Sequence, residues 1–228
     1  MKLTIGIIIA MEKELAPFIR GKEVEERCVG GKTFYSFTMN DARCVVVQSG
    51  IGKVNAAYAT TMLIREFMPD FIVSTGISGG LGRCELLELV TAKDVVQHDV
   101  DTTALGDEPG FVSTVNKVYF EADKTLTQKF VELTNARVVR FACGDRFVAD
   151  TQTRDFIVGT FDASACDMES GAIAQVAFCA QVPFVAVRCI SDGAGEGAEM
   201  SFEKLTDIAS EKLAKAVTVW LQIMTQKE

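Results

Sequence analysis

The sequence predicts an α/β fold with a central mixed or parallel sheet, and two patterns support this. Apolar runs rich in β-branched residues alternate along the chain with segments whose apolar residues recur every three or four positions. The apolar runs are continuous, which is typical of strands covered on both faces. Because no linker rich in Pro, Gly or Ser divides the composition, we expect a single domain over residues 1–228.

Six apolar runs bounded by glycine or charge are predicted to be strands. They are residues 3–9, 43–48, 71–74, 89–97, 138–142 and 183–190. The first run ends in Glu12-Lys13-Glu14 without a small-residue cleavage site. We therefore interpret it as a buried first strand and not as a signal peptide.

Four segments with helical spacing lie between or after these strands. They are residues 54–68, 122–134, 170–180 and a long segment from about Ser201. The apolar stripe of the last segment predicts a helix that packs on the core. Residues 98–117 are rich in Asp, Gly and Pro and are predicted to form a long loop, a feature that is often functional in compact domains.

The composition limits the classes of partner. Lys and Arg number 23 against 31 Asp and Glu, a net charge of −8, which argues against binding to nucleic-acid backbones. No stretch is apolar for long enough to predict a membrane partner. An odd number of cysteines without a C-x-x-C pair indicates a reducing, cytoplasmic setting. Those cysteines and a single histidine give a metal site little support.

A glycine-rich stretch follows the third predicted strand, at residues 76–82. Open α/β sheets commonly bind ligands at such a place, although a simple tight turn explains the pattern equally well. Gly76, Ser78 and Gly80 also match the G-x-S-x-G pattern of serine hydrolases. We disfavour that interpretation because no good helix start follows Ser78 and the sole histidine, His98, comes too early in the chain.

Three acidic residues lie at predicted strand ends. Glu12 follows the first strand, Glu169 lies at a strand-to-helix junction, and Asp192 ends the last strand. Each alone could be a helix-start acid or a turn residue. Together they are expected to converge at one edge of the sheet. Such acids suit glycoside-type cleavage, in which one acid protonates the leaving group and another activates water.

A series of ordered motifs resembles those of the 5′-methylthioadenosine/S-adenosylhomocysteine nucleosidases, which belong to the nucleoside phosphorylase superfamily. The motifs span residues 5–14, 49–57, 75–80, 167–169 and 187–192. The resemblance covers nearly the whole chain and implies a three-layer sandwich with helices flanking a central mixed sheet. It also implies hydrolysis of an adenine nucleoside to adenine and a 5-thioribose for methionine salvage, no cofactor, and a homodimer.

The resemblance implies a role for each acid. Asp192 would protonate purine N7 and be held by Ser191, while Glu12 would orient or deprotonate the attacking water. Glu169 would bind the ribose hydroxyls, with Met168 packed beneath the sugar.

Further contacts follow from the same resemblance. Phe147 would lie on the adenine ring, the Val148 backbone would pair with its edge, and Phe202 would contact base or sugar. Leu105, in the loop that reaches across the dimer, replaces a common aromatic residue, so the preferred 5′-substituent stays open. The remaining residues assigned to the substrate site are Asp167, Arg188, Ile77, Ser78 and Gly79.

Two of these positions depart from the family pattern. Ile77 stands where a small hydroxyl residue is common, which makes Ser78 the candidate to hold the water instead. Asp167 stands where Glu is usual.

Three alternative functions differ in reaction or class. A phosphorylase needs basic groups for phosphate, and the chain offers mainly Arg83 and Arg188 beside an acid that would repel it. A nucleosidase could act on another adenine nucleoside, such as aminodeoxyfutalosine or 5′-deoxyadenosine. A non-catalytic purine-binding protein is disfavoured, because a binding protein does not need an acid that activates water.

Overall fold

The computed structural model describes residues 2–226, in which ten strands form one sheet. The strands are β1 (Thr4–Ile9), β2 (Glu25–Val29), β3 (Lys32–Met39), β4 (Ala42–Gln48), β5 (Phe71–Gly79), β6 (Leu89–Gln97), β7 (Tyr119–Glu121), β8 (Arg137–Cys143), β9 (Ala165–Asp167) and β10 (Phe184–Asp192). The α-helices are α1 (Glu12–Ile19), α2 (Lys53–Phe67), α3 (Lys124–Thr134), α4 (Thr151–Phe161), α5 (Ser170–Ala180) and α6 (Ala198–Met224). None of the helices within residues 2–226 has the length and apolar character needed to cross a bilayer.

The sheet is mixed, with the order β10-β6-β8-β9-β5-β1-β4-β3-β2. An additional pairing of β10 with β5 closes five of the strands into a ring. Strands β1, β5 and β10 are parallel neighbours, so their carboxyl ends lie side by side. Residues at the carboxyl ends of these three strands are therefore brought together at one edge of the sheet.

Helices cover both faces of the sheet. Helices α1, α3 and α6 pack on one face, where Phe130 and Trp220 meet edge to face with ring centroids 5.4 Å apart. Helices α2 and α5 pack on the other face through small and branched side chains such as Ala59 and Ile173. This arrangement confirms the predicted three-layer α/β fold, and burial of each large apolar side chain contributes about 1.5–3 kcal/mol.

The predicted strands and helices are all present, and most of their ends shift by a few residues. Helices α1 and α4 and strands β2, β3, β7 and β9 have no counterpart in the prediction. Helix α1 is short and contains Pro17, and β7 and β9 are three residues long, so their sequence patterns are weak. The predicted loop after β6 is present and contains two short 3₁₀ turns, Thr103–Leu105 and Ser113–Val115.

Candidate active site

A cavity of about 110 Å³ opens at the carboxyl ends of β1, β5 and β10. Its lining residues are Ala10, Met11, Glu14, Ile51, Ile77, Ser78, Gly79, Arg146, Phe147, Val148, Cys166, Asp167, Met168, Glu169, Ser191, Asp192 and Phe202. The cavity thus brings together the predicted site residues with three exceptions, which are Glu12, Leu105 and Arg188.

Glu12, predicted to activate the water, does not face this cavity. It is exposed, and Gln48 lies 3.2 Å from its carboxylate. Glu14 lines the cavity instead and is 6% exposed. Successive residues of an α-helix are about 100° apart, so these two side chains of α1 point to opposite sides. The prediction chose the first acid after the strand, whereas α1 turns the second acid inward.

The Glu14 carboxylate is fixed by two backbone donors. The Ile77 N–H donates to Oε1 at 2.8 Å, and the Met11 N–H donates to Oε2 at 2.9 Å. Burial raises the pKa of Glu14, and these donors oppose the rise. Residue 77 contributes its backbone N–H, which isoleucine supplies as well as a hydroxyl residue does. An oriented carboxylate with a raised pKa has the properties of a general base.

Two glycines of β5 leave room for the acids. A Cβ at Gly76 would lie 2.6 Å from Glu14 Oε1, and a Cβ at Gly79 would lie 2.9 Å from Asp192 Oδ1. The glycine-rich segment is therefore not simply a turn, since β5 runs through Gly79 and pairs with β10 along its length. Glycine is required because the carboxylates stand close against the strand backbone.

Arg188 lies behind the cavity and is 2% exposed. Its Nη2 is 2.7 Å from Asp167 Oδ2, an ionic contact without the alignment of a hydrogen bond. Its guanidinium also donates to the carbonyl and hydroxyl oxygens of Ser74, each at 2.9 Å. The buried charge of Arg188 is thus balanced by Asp167, and Arg188 does not line the main cavity itself.

Glu169 precedes α5 and faces the cavity. The Gly52 N–H donates to its Oε1 at 2.8 Å. Burial and then the charge of Asp167 raise the pKa of Glu169 to about 7. Ionisation of this carboxyl group therefore falls in the physiological range.

A second cavity, of about 10 Å³, lies behind the first between Glu14, Glu169 and Arg188. Its wall also includes Ser49 and Thr75. A space of this size has room for about one water molecule, and the groups around it offer hydrogen bonds to a water.

Ser78 does not line this small cavity. It lines the main one, is 5% exposed, and its hydroxyl has no hydrogen-bond partner within residues 2–226. The structure therefore does not support the expectation that Ser78 replaces the missing hydroxyl of Ile77 beside the water. The hydroxyl residues at the small cavity come from β4–α2 and from earlier in β5, namely Ser49, Ser74 and Thr75.

Asp192 ends β10, as predicted, and is 2% exposed. The Ser191 hydroxyl donates to its Oδ2 and the Ala194 N–H donates to its Oδ1, each at 2.9 Å. Burial raises the pKa of Asp192, and these two donors oppose the rise. A raised pKa keeps the proton on the group at higher pH, which a general acid requires.

The open end of the cavity is aromatic and built from the loop after β8 and the first turns of α6. Phe147 is 40% exposed and meets Phe202 edge to face, with ring centroids 5.5 Å apart. Val148 lies beside them and is buried. Leu105 is 83% exposed and does not line the cavity.

The cavity therefore combines a closed end with four carboxyl groups and an open end with flat apolar surfaces. That combination suits a molecule with a hydroxyl-rich part and a planar aromatic part. Prediction missed the lining residues Ala10, Met11, Glu14, Ile51, Arg146 and Cys166. Only Glu14 had a signal in the sequence, since it follows Glu12 by two residues in the same acidic segment.

The chain is similar to known proteins along nearly its whole length. The phosphorylase superfamily matches residues 4–221. A 5′-methylthioadenosine/S-adenosylhomocysteine nucleosidase of Geobacillus kaustophilus is 39% identical over 97% of this chain and 98% of its own.

Two solved structures from Helicobacter pylori are also similar. A mutant of its nucleosidase with 5′-methylthioadenosine in the active site has a TM-score of 0.95 and 30% identity, covering 98% of this chain and 100% of its own. Its futalosine hydrolase has a TM-score of 0.94 and 30% identity, covering 97% and 98%.

Proposed function

Because the chain belongs to the 5′-methylthioadenosine/S-adenosylhomocysteine nucleosidases of the phosphorylase superfamily, we propose that the buried carboxyl groups of its cavity divide the steps of nucleoside hydrolysis. The protein is an N-glycosyl hydrolase that splits 5′-methylthioadenosine and S-adenosylhomocysteine into adenine and a 5-thioribose. The family expected from the sequence motifs is thereby confirmed.

Asp192 is the general acid of this scheme. As the C1′–N9 bond breaks, its electron pair passes to the purine, and Asp192 gives its proton to N7 so that neutral adenine leaves. The raised pKa of Asp192, caused by burial, keeps that proton available. General acids typically accelerate such steps by about 10²–10⁴-fold.

Glu14, and not Glu12, is the acid that activates the water. A water in the small cavity bonds through its oxygen to C1′ and gives a proton to Glu14. The observation that carries the proposal is that Glu14 lines both cavities, so its carboxylate can contact both a sugar in the main cavity and a water in the small one. Glu169 accepts hydrogen bonds from the ribose hydroxyls, with Met168 beneath the sugar, and its charge stabilises the cationic transition state.

The base occupies the open end. Phe147 stacks on the adenine ring, the Val148 backbone pairs with its edge, and Phe202 closes the side of the slot. The exposure of Phe147 supports this arrangement, since both phenylalanines line the open end and 40% of Phe147 is accessible to a planar ring.

The site accommodates water better than phosphate as the attacking group, for two physical reasons. The small cavity, about 10 Å³, has room for a water but not for a phosphate. Its nearest cation, Arg188, is already paired with Asp167, while Glu14 and Glu169 would repel an anion. The phosphorylase alternative is therefore disfavoured.

Release of free base tests the function. We expect adenine from 5′-methylthioadenosine and S-adenosylhomocysteine at rates that phosphate does not change, with slower release from adenosine and none from inosine. Release that requires phosphate would favour the phosphorylase. Aminodeoxyfutalosine and 5′-deoxyadenosine belong in the same assay, since the structural likeness to a futalosine hydrolase keeps a second substrate open. A preference for either compound would mean that it, and not the thio-nucleosides, is the main substrate.

We also propose that two copies associate at the cavity mouth. Leu105 in the loop after β6 is highly exposed. Ile51, which lines the cavity, and Val54, in the first turn of α2, are 52% and 80% exposed. An apolar patch at a site entrance is typical of a surface that another chain covers. If the chain dimerises, light scattering should give a doubled mass in solution, and Leu105→Asp should give a monomer.

The unpaired thiols favour action in the cytoplasm, where the thioribose serves methionine salvage.

A further inference from the structure

Three residues outside the reaction scheme form a closed set of contacts beside the cavity. Lys53 Nζ donates to Asp99 Oδ1 at 2.6 Å, and the Asp145 N–H donates to Asp99 Oδ2 at 2.9 Å. The Lys53 N–H in turn donates to Asp145 Oδ1 at 2.7 Å. We call this set of Lys53, Asp99 and Asp145 the Asp99 clamp. It joins the first turn of α2, the start of the loop after β6, and the loop after β8.

The clamp holds one end of the segment that contacts the base. Residues 144–150 connect β8 to α4 without regular structure and carry Phe147 and Val148. The far end of this segment is fixed by Asp150, whose side chain accepts from the Thr153 N–H at 2.7 Å. The near end is fixed by Asp145 in the clamp. Phe147 itself is 40% exposed and contributes little burial, whereas Val148 is buried and also helps to hold the segment.

The start of the segment also packs closely on its support. A Cβ at Gly144 would lie 2.4 Å from His98 Nε2, so the backbone at 144 rests directly against the imidazole. The Gly144 N–H donates to the Asp167 carbonyl at 3.1 Å. Asp99 follows His98 in the chain, and its carboxylate therefore lies within hydrogen-bond distance of the Asp145 N–H.

The same turn of α2 also holds the ribose end. Gly52, next to Lys53, donates its N–H to Glu169 Oε1. The side chains of Lys53 and Asp99 are only partly exposed, 18% and 29%, so solvent screens their attraction less than at an open surface, whereas Asp145 is exposed. The clamp therefore fixes the spacing between the base-binding segment and the acid assigned to the sugar.

We propose that Asp99 is a positioning residue for nucleoside binding, acting through Asp145 on the segment that carries Phe147 and Val148. The proposal rests on the function proposed above. Without the Asp99 charge, residues 144–150 sample other positions in the free protein. Ordering them when the base binds then costs free energy, so the affinity for the base falls. The chemical step, carried out by acids on strands and on α1, is left almost unchanged.

The test is Asp99→Asn, which keeps the size of the side chain and removes its charge. We expect KM for 5′-methylthioadenosine and the dissociation constant of free adenine to rise together by about tenfold, the usual effect of losing a hydrogen bond to a charged group. We expect kcat to stay within about threefold. Lys53→Met combined with Asp99→Asn should cost no more than the larger single effect, because the two share one network.

Glu88→Gln is the matched control. Glu88 pairs with Arg137 at 2.8 Å, away from the cavity, and its loss should change the melting temperature without changing KM. If Asp99→Asn fails to fold, Asp145→Ala tests the clamp, since it removes the carboxylate that accepts from the Lys53 N–H and predicts a smaller rise in KM. An unchanged adenine affinity, or a fall in kcat at constant KM, would overturn the proposal. Wild-type protein that binds adenine but releases none would count against the function alone.

Discussion

The closed and open ends of the cavity are built in different ways. At the closed end, Glu14 and Asp192 are 6% and 2% exposed, and backbone N–H groups at strand ends hold both carboxylates. At the open end, Phe147 is 40% exposed and sits on a segment without regular structure, and Phe202 lies in the first turns of α6. The charged groups are therefore placed by strand ends and the helix starts beside them, and the aromatic groups by a loop and the start of α6.

This difference separates chemistry from recognition. A sheet edge fixes a carboxylate closely and removes it from water, and this removal raises the pKa of both acids. A loop supplies aromatic surface that can adjust to different ligands. We therefore expect substitutions at the closed end to lower kcat and substitutions at the open end to raise KM. The predictions below test this division.

Asp192→Asn should have the largest effect. The amide keeps the shape of the side chain but cannot give a proton to the purine, so kcat should fall by about a thousandfold, within the range for general acids. Steady-state kinetics with 5′-methylthioadenosine measure it, with the melting temperature as a check on folding. A loss of less than tenfold would mean that Asp192 is not the proton donor.

Glu14→Gln should lower kcat by about a hundredfold, because the amide cannot accept the water proton. Glu12→Gln is a matched control on the same helix and should stay within about twofold of wild type, since Glu12 is exposed. The reverse ranking of the two variants would restore Glu12 as the water-activating acid.

Phe147→Ala should raise KM by about tenfold and leave kcat nearly unchanged. The substitution removes the aromatic face on which the base stacks, a contact worth about 1–1.5 kcal/mol. Affinity for adenine alone, measured by calorimetry, should fall by a similar factor. If kcat fell while KM stayed constant, the division between the two ends would not hold.

The pH dependence should give a smaller effect. Glu169 must be ionised to accept hydrogen bonds from ribose, and burial raises its pKa to about 7. The group is protonated below that pH and ionised above it. Accordingly, kcat/KM should rise about fourfold from pH 6.5 to 8. Glu169→Gln should be slower and lack this rise, whereas a wild-type profile that is flat over this range would contradict the assignment.

Much of the fold could be predicted because its signals are local. The runs that became β1, β4, β6 and β10 are long and apolar, and α5 begins and ends at the predicted residues. The weak point was the short element after β1. With eight residues and an internal Pro17, α1 gives little helical pattern, and without the helix nothing distinguishes Glu12 from Glu14.

The sequence alone determined the fold class, the family, the acid at the end of β10 and the acid before α5, because each depends on residues adjacent in the chain. The tertiary structure decided which acid of α1 faces the cavity, why Gly76 and Gly79 must be glycine, and which residues meet in the Asp99 clamp. These depend on contacts between residues far apart in sequence. Helix orientation and strand register set such contacts, and no local pattern records them.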